Sequence, residues 1–431
     1  MKLSAPTASL AALLFAALTV TSCAPQTSTG SGKDEKTGTL RVWLFQEVDN
    51  RPKERVVDQA VAAFEKAHKG AEVTVEYIPV ETRAERVKAA FNDPKSAPDV
   101  IEYGNTDTAG YVKDGGLADV TKDFTAWSES KDIDPTARRS VTVDGQIYGA
   151  PYFVGVRALY YRTDVFKELG LQPPRTQAQL VETARRIHSA RPGLYGLAVG
   201  GAYTYGALPF IWAHGGELAV GHGGSYRAAI DGSAAREGIT AYTSLFGDGN
   251  CPTAKCAGMG GNDTVTAFAA GKAAMAIGGD FSHQAIEAGK AKGKYAVVPL
   301  PGLKEGEIAP AFAGGNNIGV LKSTERRSLA VDLMERLASK RTQRELFDAM
   351  GFLPTFTDVR ELVARQEPFV EPFVRTLASG TRFVPVSPAW AQIDASLVLP
   401  TMFQEIVSGK KDVKAASAEA AKMNDAFGSA G

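Results

Sequence analysis

The chain has 431 residues, with 48 Lys+Arg against 48 Asp+Glu, 44% hydrophobic and 22% charged residues. That apolar content excludes a wholly disordered chain, and the length calls for two domains or one large α/β unit with cores of their own. The zero formal charge removes the electrostatic case for nucleic acid as the main partner, because neutralising phosphates needs a basic surplus.

The N-terminus carries one basic residue, Lys2, followed by the apolar run Ala8–Leu18 and then Val20-Thr21-Ser22-Cys23. That run is shorter than the ~20 residues a membrane-spanning helix needs but fits the apolar core of a secretory signal over 1–22. Small residues just before a cysteine resemble a bacterial lipobox, in which Cys23 takes the lipid and becomes the mature N-terminus. Residues 23–38 are rich in Ser, Thr, Gly and Lys without an apolar period, and read as a flexible tether.

Leu40–Phe45 is an apolar run expected to be a buried strand. Residues 54–68 place Val56, Val57, Ala60, Val61 and Phe64 on one helical face, with Gly70 as the stop. Val73, Val75 and Tyr77 alternate as a strand, Arg83–Phe91 reads as a helix, and Pro98–Ile101 as a strand again. This β-α-β-α-β order predicts a parallel sheet with helices on its faces and a ligand at the carboxyl ends of its strands, so the loops after Phe45 and Ile101 are the places to look. Further on, Leu159–Tyr161, Gly196–Val199, Ala273–Ile277 and Ala296–Leu300 read as strands. Gln177–Ser189, Ser328–Ser339 and Ala415–Phe427 read as helices, making the chain α/β throughout.

Cys251 and Cys256, with four residues between them in a Gly/Pro-containing loop, are expected to form a disulfide in an exported protein rather than a metal pair. His214 and His222 are separated by glycines that supply no helical register, so no metal site is expected. G-x-S-x-G, H-E-x-x-H and Walker-type motifs are not present, which argues against common hydrolase and nucleotide chemistries.

Several segments in order resemble the maltose-binding-protein type of extracellular solute-binding protein that serves sugar-importing ABC transporters. They are Leu40–Phe45, Ala97–Tyr103, Ala109–Tyr111, Gly116–Asp119, Val143–Pro151, Leu159–Phe166, Ala267–Met275, Gly278–Phe281 and Gly314–Asn317. The likeness spans nearly all of 39–427. It implies a two-lobed periplasmic-binding-protein fold with a cleft between lobes and several chain crossovers. One lobe would be 39–153 and 313–360, the other 154–312 and 361–431. It also implies a non-enzymatic, monomeric protein without cofactor, lipid-anchored on the extracellular face of the cell membrane, that delivers a carbohydrate to ABC permease subunits.

By the same resemblance, Tyr103 faces sugar, with Asn105 and Asp107 in its loop. Phe281 of Asp280-Phe281 is a stacking platform, and Trp390 is a cleft aromatic in the last third of the chain. Glu47 after the first strand, Tyr203 and Tyr205 in an aromatic-bearing loop, and Asn316 complete the expected ligand set, with Arg157 a weaker candidate and Trp212 a core residue. Carbohydrates need such a mixture, flat rings for their C–H faces and charge-assisted acceptors or donors for their hydroxyls. A polyamine or glycerol phosphate ester is the alternative solute, and an exported glycoside hydrolase, which needs two suitably spaced carboxylates, the alternative activity.

Overall fold

A computed structural model describes residues 34–47, 50–79, 82–222 and 225–429. The expected signal segment 1–22, the expected lipidation site Cys23 and most of the expected tether lie outside the described residues. Residues 34–37, assigned to the tether from composition, are instead held by the body. Lys36 donates to Ser328 Oγ, Glu35 pairs with Arg326 at 2.8 Å, and the Arg326 side chain donates to Thr37 O. Polar composition did not reveal these partners because they lie almost 300 residues away in sequence.

Two sheets organise the chain. The first contains β1 (Gly38–Phe45), β2 (Ala71–Ile78), β3 (Val100–Gly104) and β4 (Ala150–Gly155). The second contains β5 (Arg157–Arg162), β6 (Tyr195–Ala198), β7 (Ala273–Gly279) and β8 (Tyr295–Val298), after which β9 (Gly314–Val320) returns to the first. The spatial orders are β2-β1-β3-β9-β4 and β8-β5-β7-β6. β1 pairs in parallel with both β2 and β3, as the alternating helices α1 (Arg51–Ala67) and α2 (Arg83–Asn92) require. The expected all-parallel sheet is nevertheless mixed, since β9 runs antiparallel to both β3 and β4. A strand arriving from a distant segment is not bound by the βαβ rule that fixes its neighbours. In the second sheet β5 is antiparallel to β7 and β8, and β6 is parallel to β7.

Each sheet buries its own core. Leu40, Val42, Leu44, Val57, Phe64, Phe124, Ile318 and Leu333 fill one; Leu159, Leu180, Ile187, Leu197, Ile239, Ile277 and Phe403 fill the other. The result is two lobes, and the chain passes directly from one sheet to the other at Val156, the single residue between β4 and β5. A third segment runs beside this crossing, where Val154 bridges Leu353. The C-terminal region expected as one helix over 415–427 is divided into Val413–Ala420, a 3-10 turn Ala421–Met423 and Asn424–Ser429. Cys251 and Cys256 are joined by a disulfide and fully buried. Trp212 lies in the core, 3% exposed.

Candidate functional site

Between the sheets lies a cavity of about 820 Å³. Its wall is drawn from the carboxyl ends of β1 and β3, the start of β9, the β4–β5 crossing and the end of β7. Edge loops at strand carboxyl ends are free of sheet hydrogen bonds, so their polar groups can face a ligand.

The first-sheet side is organised by a buried ion network. Lys53, in the first turn of α1, is fully buried and donates to Phe45 O (2.8 Å), Glu47 Oε1 (3.0 Å) and Glu102 Oε2 (2.9 Å). Glu102 is also fully buried; it accepts from the Phe45 N–H at 2.8 Å and, through its other oxygen, from Asn316 Nδ2 at 2.6 Å. Burial works against the Lys53 charge, but Glu102 and Glu47 more than offset it and hold the ammonium above the ordinary lysine range. Glu47 is pushed upward by burial and by Glu102, against the pull of Lys53. The network fixes Glu47 and Asn316, two of the expected ligand residues, on the cavity wall. Asn105 is there as well, its Nδ2 committed to Ala313 O at 2.8 Å, which leaves its carbonyl oxygen as an acceptor. Gly315 has φ +128°, and a Cβ there would lie 2.1 Å from Phe153 O; a side chain would separate β9 from β4 and open this wall.

Arg157, at the first position of β5, dominates the opposite side. Its Nε donates to Tyr203 Oη at 2.8 Å, and its guanidinium lies 5.1 Å from the Tyr205 ring centre and 5.8 Å from that of Phe281. Tyr205 stacks on Phe312 with centroids 4.5 Å apart, and Phe153 stacks on Phe352 at 4.3 Å. All four rings border the cavity, with Phe45 and Phe281. Phe281 is 44% exposed, and Gly279 makes room for its ring: a Cβ there would be 2.2 Å from it. Arg83 of α2 reaches the same space across the Phe45 ring at 5.0 Å.

Glu47, Asn105, Tyr205, Asp280, Phe281 and Asn316 therefore border one cavity, together with Arg157. The others are placed differently. Tyr103 is 0% exposed, packed against Tyr111 with its hydroxyl donating to Tyr148 O at 3.2 Å. Trp390 is 1% exposed among second-lobe core residues, and its Nε1 has no partner among the described residues. Both side chains are core, because their strand and helix present those positions inward. Tyr203 stands behind Arg157 as its hydrogen-bond partner. Asp107 is near the wall without forming it, and burial lifts its carboxyl to about 6, with Arg83 opposing and Asp394 adding. Asp280 borders the cavity but its carboxylate is spent on backbone, Oδ1 accepting from the Val156 N–H at 3.0 Å.

Lys53, Glu102, Arg83, Phe45, Phe153, Phe312 and Phe352 were not anticipated. Glu102 did leave a signal, since a carboxylate inside the run Val100-Ile101-Glu102-Tyr103 must find a buried cation. The phenylalanines carried none, being indistinguishable in sequence from core.

The description "bacterial extracellular solute-binding protein" matches residues 59–370. The galactooligosaccharide-binding protein of Bacillus subtilis is 25% identical over 419 residues, covering 94% of this chain and 93% of its own. A maltooligosaccharide ABC transporter solute-binding lipoprotein of Streptococcus pneumoniae is 26% identical over 345 residues, 77% of each chain. The structure of the sugar-binding protein MalE from Xanthomonas citri superimposes with a TM-score of 0.79 at 22% identity, covering 91% of this chain and 98% of that one.

Proposed function

We infer, for a chain that belongs to the bacterial extracellular solute-binding proteins, that it captures a carbohydrate between its lobes and delivers it to an ABC importer. The observation that carries this reading is the wall of the cavity: flat rings of Tyr205, Phe281, Phe312 and Phe352 alternate with the amides of Asn105 and Asn316, the Glu47 carboxylate and the Arg157 guanidinium. Rings receive the C–H faces of a sugar while the polar groups pair with its hydroxyls. A solute touching both walls binds the closed arrangement better than the open one and shifts the population toward it. Micromolar capture corresponds to about 8 kcal/mol of net binding. The moving parts in this reading are 39–153 with 313–360 against 154–312 with 361–431.

The two carboxylates on the wall among the described residues favour capture over hydrolysis, because Glu47 is salt-bridged to Lys53 and Asp280 is held by backbone N–H groups. Neither is placed as a free acid or nucleophile. Lipidation at Cys23 would hold the monomer on the outer face of the membrane beside its permease subunits; the lipoprotein relative supports this part of the reading.

A thermal-shift screen tests the proposal with neutral mono- and oligosaccharides, a polyamine and glycerol phosphate esters in parallel. A sugar present at 100 times its Kd should add about 2.7 kcal/mol of stability. Stabilisation by polyamine or phosphate ester alone refutes the carbohydrate assignment. Released monosaccharide after incubation with the sugars refutes the non-enzymatic one.

A further inference from the structure

Asp280 follows the last residue of β7, and it grips a single residue of the other element from both sides. Its backbone N–H donates to Val156 O at 3.3 Å while its Oδ1 accepts from the Val156 N–H at 3.0 Å. Val156 is the single residue between β4 of the first sheet and β5 of the second. The adjoining segment at Leu353, paired with Val154, also turns its N–H toward the Asp280 carboxylate. A side chain 1% exposed thus reaches two of the segments about which the lobes must turn.

We propose that Asp280 is a positioning residue for lobe closure, its ionised carboxylate clamping the Val156 crossover and its protonation releasing it. A carboxylate accepts an N–H bond roughly twice as strong as a neutral acceptor does. Losing that charge leaves the crossover with weaker restraint on its φ and ψ. The surroundings place the change in an accessible range: burial lifts the acid to about 7, while the N–H groups of Val156, Asp280 and Leu353 and the charge of Arg157 pull it down. Arg157 on β5 is the charged side chain that acts on it, and Tyr160 on the same strand is the neighbouring titratable group. Because Arg157 directly follows Val156, the clamp also sets where that guanidinium enters the cavity. This inference rests on the closure motion of the proposed function and not on the identity of the solute, so its readouts use none.

The test uses the full chain labelled with 15N-valine, with the Val156 peak assigned by its loss in Val156→Ile. The Val156 amide should move through one transition near pH 7 in the parent chain and stay flat in Asp280→Asn. Small-angle scattering without ligand should give a larger radius of gyration at pH 5.5 than at pH 8.5 for the parent, and the same radius at both for Asp280→Asn. A parent Val156 peak that does not titrate between pH 5 and 9 overturns the proposal, and this reading does not depend on Asp280→Asn folding. A pH-dependent radius that persists in Asp280→Asn overturns it as well.

Discussion

Replacing Lys53 by methionine probes the element on which the first-lobe wall depends. Methionine keeps most of the side-chain length, so packing changes little and the loss is one charge with three hydrogen bonds. Glu102 would retain the Phe45 N–H and Asn316 but lose its counter-charge while remaining fully buried. Breaking a buried pair in this way costs about 3–5 kcal/mol. With ~2 cal/mol/K of unfolding entropy per residue, that is a fall in Tm of about 4–6 °C if roughly 400 residues unfold together. If only the ~160-residue first lobe unfolds, the same loss lowers Tm by about 9–15 °C. Urea and thermal unfolding followed by circular dichroism distinguish these cases. In the parent, Lys53 is raised when folded; its contribution is complete below the ordinary lysine value of about 10.4 and fades as pH climbs through the higher folded value. Lys53→Met/Glu102→Gln should recover most of the loss because neither charge is then stranded. A single-variant cost under about 1 kcal/mol, or a double variant no better than the single, refutes the reasoning.

Tyr103→Phe should cost about 1 kcal/mol for the lost bond to Tyr148 O and leave solute affinity unchanged by calorimetry. Phe281→Ala, in contrast, should weaken affinity by about tenfold at nearly unchanged stability, since its ring is on the wall and 44% exposed. An affinity loss in Tyr103→Phe matching that of Phe281→Ala would return Tyr103 to the site. Replacing Cys251 and Cys256 together by serine opens a six-residue loop and should cost about 2 kcal/mol in urea unfolding, with solute affinity intact. A change below ~0.5 kcal/mol would mean that the loop is already ordered in the unfolded chain.

The strands and helices between Gly38 and Gly104 were legible because their apolar periods are unbroken: Val56, Val57, Ala60 and Phe64 repeat on one face and are buried. What periodicity could not show was direction, since β9 has the same local pattern whether it runs with or against β3. The cavity wall was legible where loops follow strand ends, as with Glu47, Asn105 and Phe281. It was not legible at Tyr103 and Trp390, which are buried away from that wall: an aromatic in a motif segment can face core or cleft, and sequence does not fix rotation about the strand or helix axis. Arg157 was a weaker candidate for the converse reason: a strand-end arginine is ordinary until Tyr203 and Tyr205 from one other segment and Phe281 from a second are seen around it.

The anchorage of residues 34–37 to Glu325, Arg326 and Ser328 has a mechanical consequence. Ser328 belongs to Arg327–Leu337, whose Leu329, Leu333 and Leu337 lie in the first sheet's core. Under the proposed anchorage at Cys23, any tug reaching Asp34 would be borne by that half of the molecule, as a line fastened to one jaw. If the lobes close as proposed, the opposite jaw would then swing without working against a mooring of its own.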